Sequence, residues 1–274
     1  MMCTIGAVYD GNSMISFKQC DLTDPTNFLK PEILQGEDDI QYVKFGRENT
    51  NGLWAGLNNY GVSFVAADSY LTGMDNHRGH HTNPKSASED IFTKYREIVS
   101  NYKTAKEAAA AMVDFYTNEF KDPDILLISD ASERYFIEAY NGEVINVKLA
   151  DTDTANYFAS TNHFRYIHGG TTFPENHSTY LRLQRAESIL QQNPSQAGVE
   201  NVLQDQYYGS SVLSICREST ICPRGEAAFN TMASVIMVVH NAEIKFGYQI
   251  NGNPRNNAYT WVTCPFNNGY GVKN

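Results

Sequence analysis

The sequence predicts an α+β fold built on antiparallel sheet, and three observations carry that expectation. Strand-like segments come in blocks separated by blocks of helix, rather than alternating strand by helix. Short turn signals such as Asn59-Tyr60-Gly61 and Asn141-Gly142 punctuate those strands. No fixed-period repeat, low-complexity linker or sharp shift in composition divides the 274 residues, so the chain reads as one domain, 1–274. The two helical blocks are enough to cover the outer faces of a pair of stacked sheets.

The elements follow in order. Thr4 to Tyr9 is apolar and runs into the turn Asp10-Gly11-Asn12. Met14 to Phe17 then alternates, so the chain opens on a hairpin. Further strands are expected at Asn51 to Asn58, Val62 to Ala67, Ile125 to Ser129, Tyr135 to Tyr140 and Val144 to Lys148. Ser86 to Tyr102 and Lys103 to Phe120 predict two helices. Ser86 and Glu89 have capping-box spacing, and Lys106 to Met112 contains a run of strong helix formers. Thr179 to Gln191 and Gln196 to Gln204 predict two more helices. Strands close the chain at Ala233 to His240, Ile244 to Tyr248 and Tyr259 to Val262.

Composition excludes several classes. The chain has 31 acidic and 21 basic residues, a net charge of −10, and no Lys/Arg-rich run, so nucleic acid is not an expected partner. Nothing approaches eighteen consecutive apolar residues, and the opening lacks the pattern of a secretion signal. A soluble, cytoplasmic protein is the expectation. Five sparse cysteines without CxxC spacing argue against a disulfide framework or a structural zinc site. A reducing compartment would keep Cys3 a free thiol.

Cys3 draws attention by its position. A terminal cysteine carries a thiol and an α-amine on one carbon. The thiol titrates near ~8.5 and the amine near ~7.7–8.0. At neutral pH part of the amine is unprotonated and can take the thiol proton, so nucleophile and base share one residue. Position alone equally allows a small apolar residue in the first strand.

The surrounding residues decide between these. Cys3-Thr4-Ile5-Gly6, the turn at Asp10-Gly11, and Phe17-Lys18-Gln19-Cys20-Asp21 resemble the start of N-terminal-nucleophile (Ntn) hydrolases, with 18 positions from Cys3 to Asp21. Gly56-Leu57-Asn58-Asn59-Tyr60-Gly61-Val62 resembles the family's loop-then-strand segment. Asp124 to Asp130 with Phe136-Ile137-Glu138-Ala139 resembles its paired central strands. Thr161-Asn162-His163-Phe164, Ser178-Thr179 and Arg182-Leu183-Gln184-Arg185 resemble the branch of acyl-coenzyme A:6-aminopenicillanic acid acyltransferases (peptidase family C45). Ser214-Ile215-Cys216-Arg217 and Thr231 to Met237 resemble that branch again. The related branch is that of choloylglycine hydrolases and penicillin V acylases.

The resemblance implies a four-layer αββα sandwich of two stacked antiparallel sheets and a mature chain that starts at Cys3. It implies amide hydrolysis or acyl transfer on a linear, non-peptide C–N amide through an acyl-thioester, with no metal and no organic cofactor. The partner implied is a small acyl amide or acyl thioester; a homo-oligomer stays open. Asp21 would orient the α-amine; as a plain residue it is a turn former before Pro25. Asn162 would donate its amide to the oxyanion, or else cap a loop. Arg217 would hold Asp21 ionised and favour thiolate, or else pair with Glu218 at the surface; Arg224 competes for that role. Lys18, Asn58 (through its backbone N–H) and Asp68 are the expected substrate contacts. His163 is expected to be structural, since the terminal amine supplies the base.

Three departures bear on this. The bile-salt branch has Arg where Lys18 stands and Asn where Gln19 stands, and Lys loses bidentate recognition. It has Asn where Asp68 stands, and an ionised Asp cannot donate to an oxyanion. These favour the acyltransferase branch, with a bile-salt or penicillin V acylase as the alternative and a catalytically silent ligand-binding member as the rival. Finally, Met1-Met2 precedes Cys3. An aminopeptidase that removes Met before a small residue would act on Met2-Cys3 but not readily on Met1-Met2, so either translation starts at Met2, or the Cys3 thiol attacks the Met2 carbonyl in self-processing, or the chain is the unprocessed precursor.

Overall fold

A computed structural model of the chain describes residues 2–22, 27–48, 52–69, 86–149 (backbone alone for 86–90), 156–167, 173–218, 229–240, 243–250 and 252–265. Among the described residues, thirteen strands and four helices run in the order β1 (Met2–Tyr9), β2 (Ser13–Leu22), β3 (Glu32–Gln35), β4 (Gln41–Phe45), β5 (Ala55–Asn58), β6 (Ser63–Ala67), α1 (Ser86–Asn101), α2 (Ala105–Asn118), β7 (Asp124–Ser129), β8 (Arg134–Tyr140), β9 (Glu143–Lys148), β10 (Tyr157–Ser160), α3 (Ser178–Gln192), α4 (Gln196–Leu203), β11 (Asn230–His240), β12 (Glu243–Ile250) and β13 (Thr260–Thr263).

The strands form two antiparallel sheets. One runs β10-β1-β2-β11-β12-β13, the other β3-β4-β5-β6-β7-β8-β9. Between them lies the largest apolar core, with Cys3, Ile5 and Ala7 of β1 facing Leu57, Val65 and Leu127 of the second sheet. Helices α1 and α2 close the outside of the seven-stranded sheet over Phe64, Leu126 and Ile137. Helices α3 and α4 close the outside of the six-stranded sheet over Val8, Phe17 and Ile236. The result is the αββα sandwich.

Local chemistry explains why β1 lies where it does. Its residues alternate between the inter-sheet core and the α3 side, as a period of two requires. Gly6 permits the close fit: a Cβ there would stand 2.4 Å from the Phe158 carbonyl and 2.5 Å from the Phe17 ring. Ser16, Ser63 and Ser129 link the two sheets in the buried interior, with Ser16 Oγ 2.6 Å from Ser129 Oγ and Ser63 Oγ 2.9 Å from Ser129 Oγ.

Several boundaries differ from expectation. The strand expected from Asn51 begins only at Ala55, and β3, β4 and β10 were not foreseen. These are four- or five-residue strands, too short for a clear period. The second helix starts at Ala105, where Thr104 caps it by accepting from the Glu107 N–H at 3.2 Å. The side chains of the Ser86–Glu89 capping box lie outside the described residues.

Candidate active site

The β1–β2 hairpin sets the first contact. Its register places Cys3 opposite Cys20 and Met2 opposite Asp21. On the far side of β2, Asp21 pairs with Thr231 of β11 just before an irregularity in the ladder. Cys3, Asp21, Asn162, Arg182 and Arg217 are all fully buried.

The nitrogen of Cys3 donates to Asn162 Oδ1 at 3.0 Å. Asn162 follows β10 and is held in turn by α3, since its own N–H donates to Thr179 Oγ1 at 3.0 Å. Its Nδ2 donates to the Asp68 carbonyl at 2.8 Å. An amide nitrogen carries two hydrogens, so one hydrogen of Nδ2 is uncommitted among the described residues. The loop beyond Asn162 is pinned by buried Glu138, which accepts from the N–H groups of Arg165, Tyr166 and Ile167 at 2.5, 2.8 and 3.0 Å.

Arg182 had no role assigned from sequence. It reaches from α3 to the head of β1, donating through Nη1 to the Cys3 carbonyl and to Thr4 Oγ1 at 3.1 Å. Its Nη2 donates to Asn162 Oδ1 at 2.7 Å, and Nε to Ser178 Oγ at 3.2 Å. With Oδ1 accepting from both Cys3 and Arg182, the amide of Asn162 can face only one way. The signal in the sequence was Ser178 and Arg182 at i, i+4 on one helix face.

Asp21 accepts from Thr231 Oγ1 at 2.7 Å through Oδ1. Arg217 Nε stands 3.5 Å from Oδ2, and Oδ2 has no hydrogen-bond partner among the described residues. Arg217 also reaches Met2, with Nη1 2.7 Å from the thioether sulfur. Burial pushes the Asp21 carboxyl up, while Arg217 and Arg182 oppose it. Burial likewise raises the Cys3 thiol, and Lys18 works against the rise. With Met2 attached, Cys3 is a neutral thiol at pH 7 and its nitrogen is an amide, not a base.

The expected substrate contacts separate. Lys18 is buried, donates to the Ala66 carbonyl and lies 5.3 Å from the Trp54 ring centroid. Burial disfavours its ammonium, but Cys3, Cys20 and Asp68 together raise it above the ordinary lysine value. Lys18 and Asp68 line one cavity. Asn58 is a correction: its Nδ2 donates to the Val99 and Tyr102 carbonyls at the end of α1. Its Oδ1 accepts from the N–H groups of Tyr60 and Val62, and its own N–H donates to the Val62 carbonyl. Every polar group that could have met a substrate closes a turn or a helix end instead. His163 sits in a threonine cluster, 2.9 Å from Thr179 Oγ1. Burial first, then the charges of Arg182 and Arg165, lower it to about 4, so it is neutral at pH 7. Arg224 lies outside the described residues. Among the described residues, no cluster of His, Cys, Asp and Glu could hold a metal ion.

The sequence matches the family profile of acyl-coenzyme A:6-aminopenicillanic acid acyl-transferase over residues 23–253. The chain belongs to that family. The match includes Asn162, Arg182 and Arg217 and begins just after Asp21. Membership places the chain among the Ntn cysteine enzymes that cleave amides or transfer acyl groups.

Solved structures agree on the fold. An N-acylethanolamine-hydrolyzing acid amidase ortholog from Caenorhabditis elegans superposes with a TM-score of 0.57 at 14% identity, over 86% of this chain and 92% of that one. A cysteine-to-alanine mutant of the conjugated bile acid hydrolase from Clostridium perfringens gives 0.59 at 10% identity, over 100% and 95%. An arginine-to-leucine variant of the same hydrolase gives 0.59 at 11%, over 99% and 95%. No curated protein matches the sequence. No helix among the described residues is long and apolar enough to cross a membrane.

Proposed function

We propose that the mature enzyme starts at Cys3 and cleaves a linear amide through its thiolate. The α-amine takes the thiol proton, and sulfur attacks the carbonyl carbon. The second Nδ2 hydrogen of Asn162 meets the developing oxyanion. The C–N bond breaks, the amine leaves with the proton held by the α-amine, and an acyl-Cys3 thioester is left. Water then gives the carboxylic acid, or an acceptor amine gives a new amide, and the thiol is restored. No metal or organic cofactor enters these steps.

The observation that carries this reading is the unfilled acceptor on Asp21. A buried carboxylate oxygen without a hydrogen bond is costly, and this one belongs to the residue opposite Met2 in the ladder. Loss of Met2 supplies an α-ammonium at the same strand head, a donor for Oδ2. The ammonium and Arg217 together then hold Asp21 ionised. Removal of Met2 also frees Arg217 Nη1 from the methionine sulfur. Either a protease would do this, or an N-to-S shift of the Met2 carbonyl onto the Cys3 thiol followed by hydrolysis of the resulting thioester.

Among the described residues, the buried thiols of Cys3, Cys20 and Cys216 fit a reducing compartment. The test of the reading is selective labelling. Iodoacetamide should modify Cys3 of the mature enzyme first and abolish hydrolysis of a panel of acyl amides. Cys3→Ala should do the same. Full turnover by Cys3→Ala would leave only a ligand-binding role for this residue.

A further inference from the structure

Cys3 and Cys20 stand directly opposite one another in the β1–β2 ladder. Opposed residues of an antiparallel pair send their side chains to the same face, and both thiols enter the core between the two sheets. An antiparallel ladder holds two kinds of opposed pair, and the hydrogen bond at Cys3 decides which kind this is. Its single N–H donates to Asn162 Oδ1 at 3.0 Å, so it is not given to the Cys20 carbonyl. The pair is therefore of the non-hydrogen-bonded kind, which sets Cα atoms about 4.5 Å apart. Disulfides close across Cα separations of roughly 4.4–6.8 Å. A bond between these two sulfurs needs side-chain rotation and no movement of the strands.

Both thiols are free and fully buried. Burial raises both, and Lys18, on the same face of β2 two residues before Cys20, works against the rise in each. Lys18 also lines the cavity that it shares with Asp68 and Asp124, which gives a molecule as small as peroxide room beside the pair. Cys20 takes no part in the amide-cleaving steps. Cys216 is as deeply buried, but it lies outside the β-ladders, with its N–H bonded to the Asp205 carbonyl beyond α4.

We propose that Cys20 is a resolving thiol for Cys3, and that peroxide converts the pair into a cross-strand disulfide that switches the enzyme off reversibly. In the mature chain the α-amine takes the Cys3 proton, and the thiolate is the form that peroxide oxidises. Sulfur attacks one peroxide oxygen, the O–O bond breaks, and Cys3 becomes a sulfenic acid with release of one water. The Cys20 sulfur then attacks the Cys3 sulfur, the S–O bond breaks, and the hydroxyl leaves with the Cys20 proton as a second water. Two thiols and one peroxide thus give one disulfide and two waters. The bond withholds the Cys3 sulfur from substrate and stops it short of the irreversible sulfinic acid. A dithiol reverses it by exchange, as suits a transient disulfide in a reducing compartment. Formation of the bond stands on the geometry of the hairpin; loss of activity rests on Cys3 being the nucleophile proposed above.

The test treats the full chain with hydrogen peroxide, alkylates it with iodoacetamide in urea, digests it without reduction and maps the peptides by mass spectrometry. The Cys3 and Cys20 peptides should appear joined, two hydrogens lighter than their sum, with Cys216 alkylated and unlinked. Hydrolysis should fall in step with the joined peptide, and dithiothreitol should raise it again about tenfold. Cys20→Ala should keep its activity before treatment but, once oxidised, recover less than about twofold, with Cys3 found as sulfinic acid. If that variant does not fold, peptide mapping of the unaltered protein carries the same test. Cys3 as sulfinic acid beside a free Cys20, a link from Cys3 to any other cysteine, or no joined peptide at any dose overturns the proposal. Mapping requires no turnover, so that failure leaves amide cleavage by Cys3 standing. A joined peptide with undiminished hydrolysis overturns the switch and the nucleophile role together and leaves only the bond.

Discussion

The main-chain nitrogen of Cys3 donates to Asn162 Oδ1 at 3.0 Å, tying the head of β1 to a loop 159 residues away. Because Arg182 donates to the same oxygen, the amide is fixed with Nδ2 on its other side. Orientation of the side chain proposed to meet the oxyanion is therefore built into the fold before any substrate arrives.

Asn162→Asp separates holding from donating. The carboxylate keeps both acceptor bonds, to the Cys3 nitrogen and to Arg182, and Arg182 offsets the added charge. Both Nδ2 donors are lost. We expect kcat to fall about 10²–10³-fold with the fold intact by circular dichroism. A kcat within threefold of the parent would remove Asn162 from the oxyanion.

Arg182→Lys tests positioning. One ammonium cannot span Cys3, Thr4, Asn162 and Ser178 as the planar guanidinium does. Urea unfolding should show a loss of about 2–4 kcal/mol. Steady-state kinetics should show kcat down at least tenfold at nearly constant KM if Arg182 acts by holding the Cys3 carbonyl and the Asn162 amide in place. A change confined to stability would make it structural only.

Glu138→Gln leaves the loop after Asn162 without a full set of acceptors. One carbonyl oxygen replaces two carboxylate oxygens, and a side-chain NH₂ now faces main-chain N–H groups. A loss of about 2 kcal/mol follows from the buried donors left unpaired, measurable by urea titration, with a lower kcat alongside. Unchanged kcat in a destabilised protein would uncouple the loop from catalysis.

His163 gives stability a pH dependence with a definite sign. Its folded value, about 4, lies below the unfolded value of about 6.5. Between those values the unfolded chain binds the extra proton, so stability rises with pH across the window and is lost as pH falls. From pH 6.5 to 5 this one residue costs about 1.5 kcal/mol. Urea titrations at both pH values should show that loss in the parent and a smaller one in His163→Asn.

The sequence made some of this legible and hid the rest for physical reasons. Strands of the central pairs were readable because their apolar runs are bounded by turn residues such as Asp10-Gly11 and Asn141-Gly142. The short edge strands β3 and β10 carry too few residues to show a period. A hairpin turn at Asp10–Asn12 brings residue 3 beside residue 20, so the approach of Cys3 and Asp21 follows from local geometry. Arg182 lies in a segment that resembles the acyltransferase branch, yet its contacts depend on α3 packing against the head of β1. Asn58 misled because an amide beside a Gly-containing turn looks the same whether it meets a ligand or caps a helix. The cavity at Asp124 unites β2, β6, α1 and β7, and no local pattern announces it.

Mass spectrometry of the N-terminal peptide from enzyme quenched during turnover tests the free-amine nucleophile most directly. We predict a peptide that begins at Cys3 and carries the acyl group of the substrate as a thioester. A peptide still holding Met2, recovered from enzyme that is turning over at full rate, would contradict it.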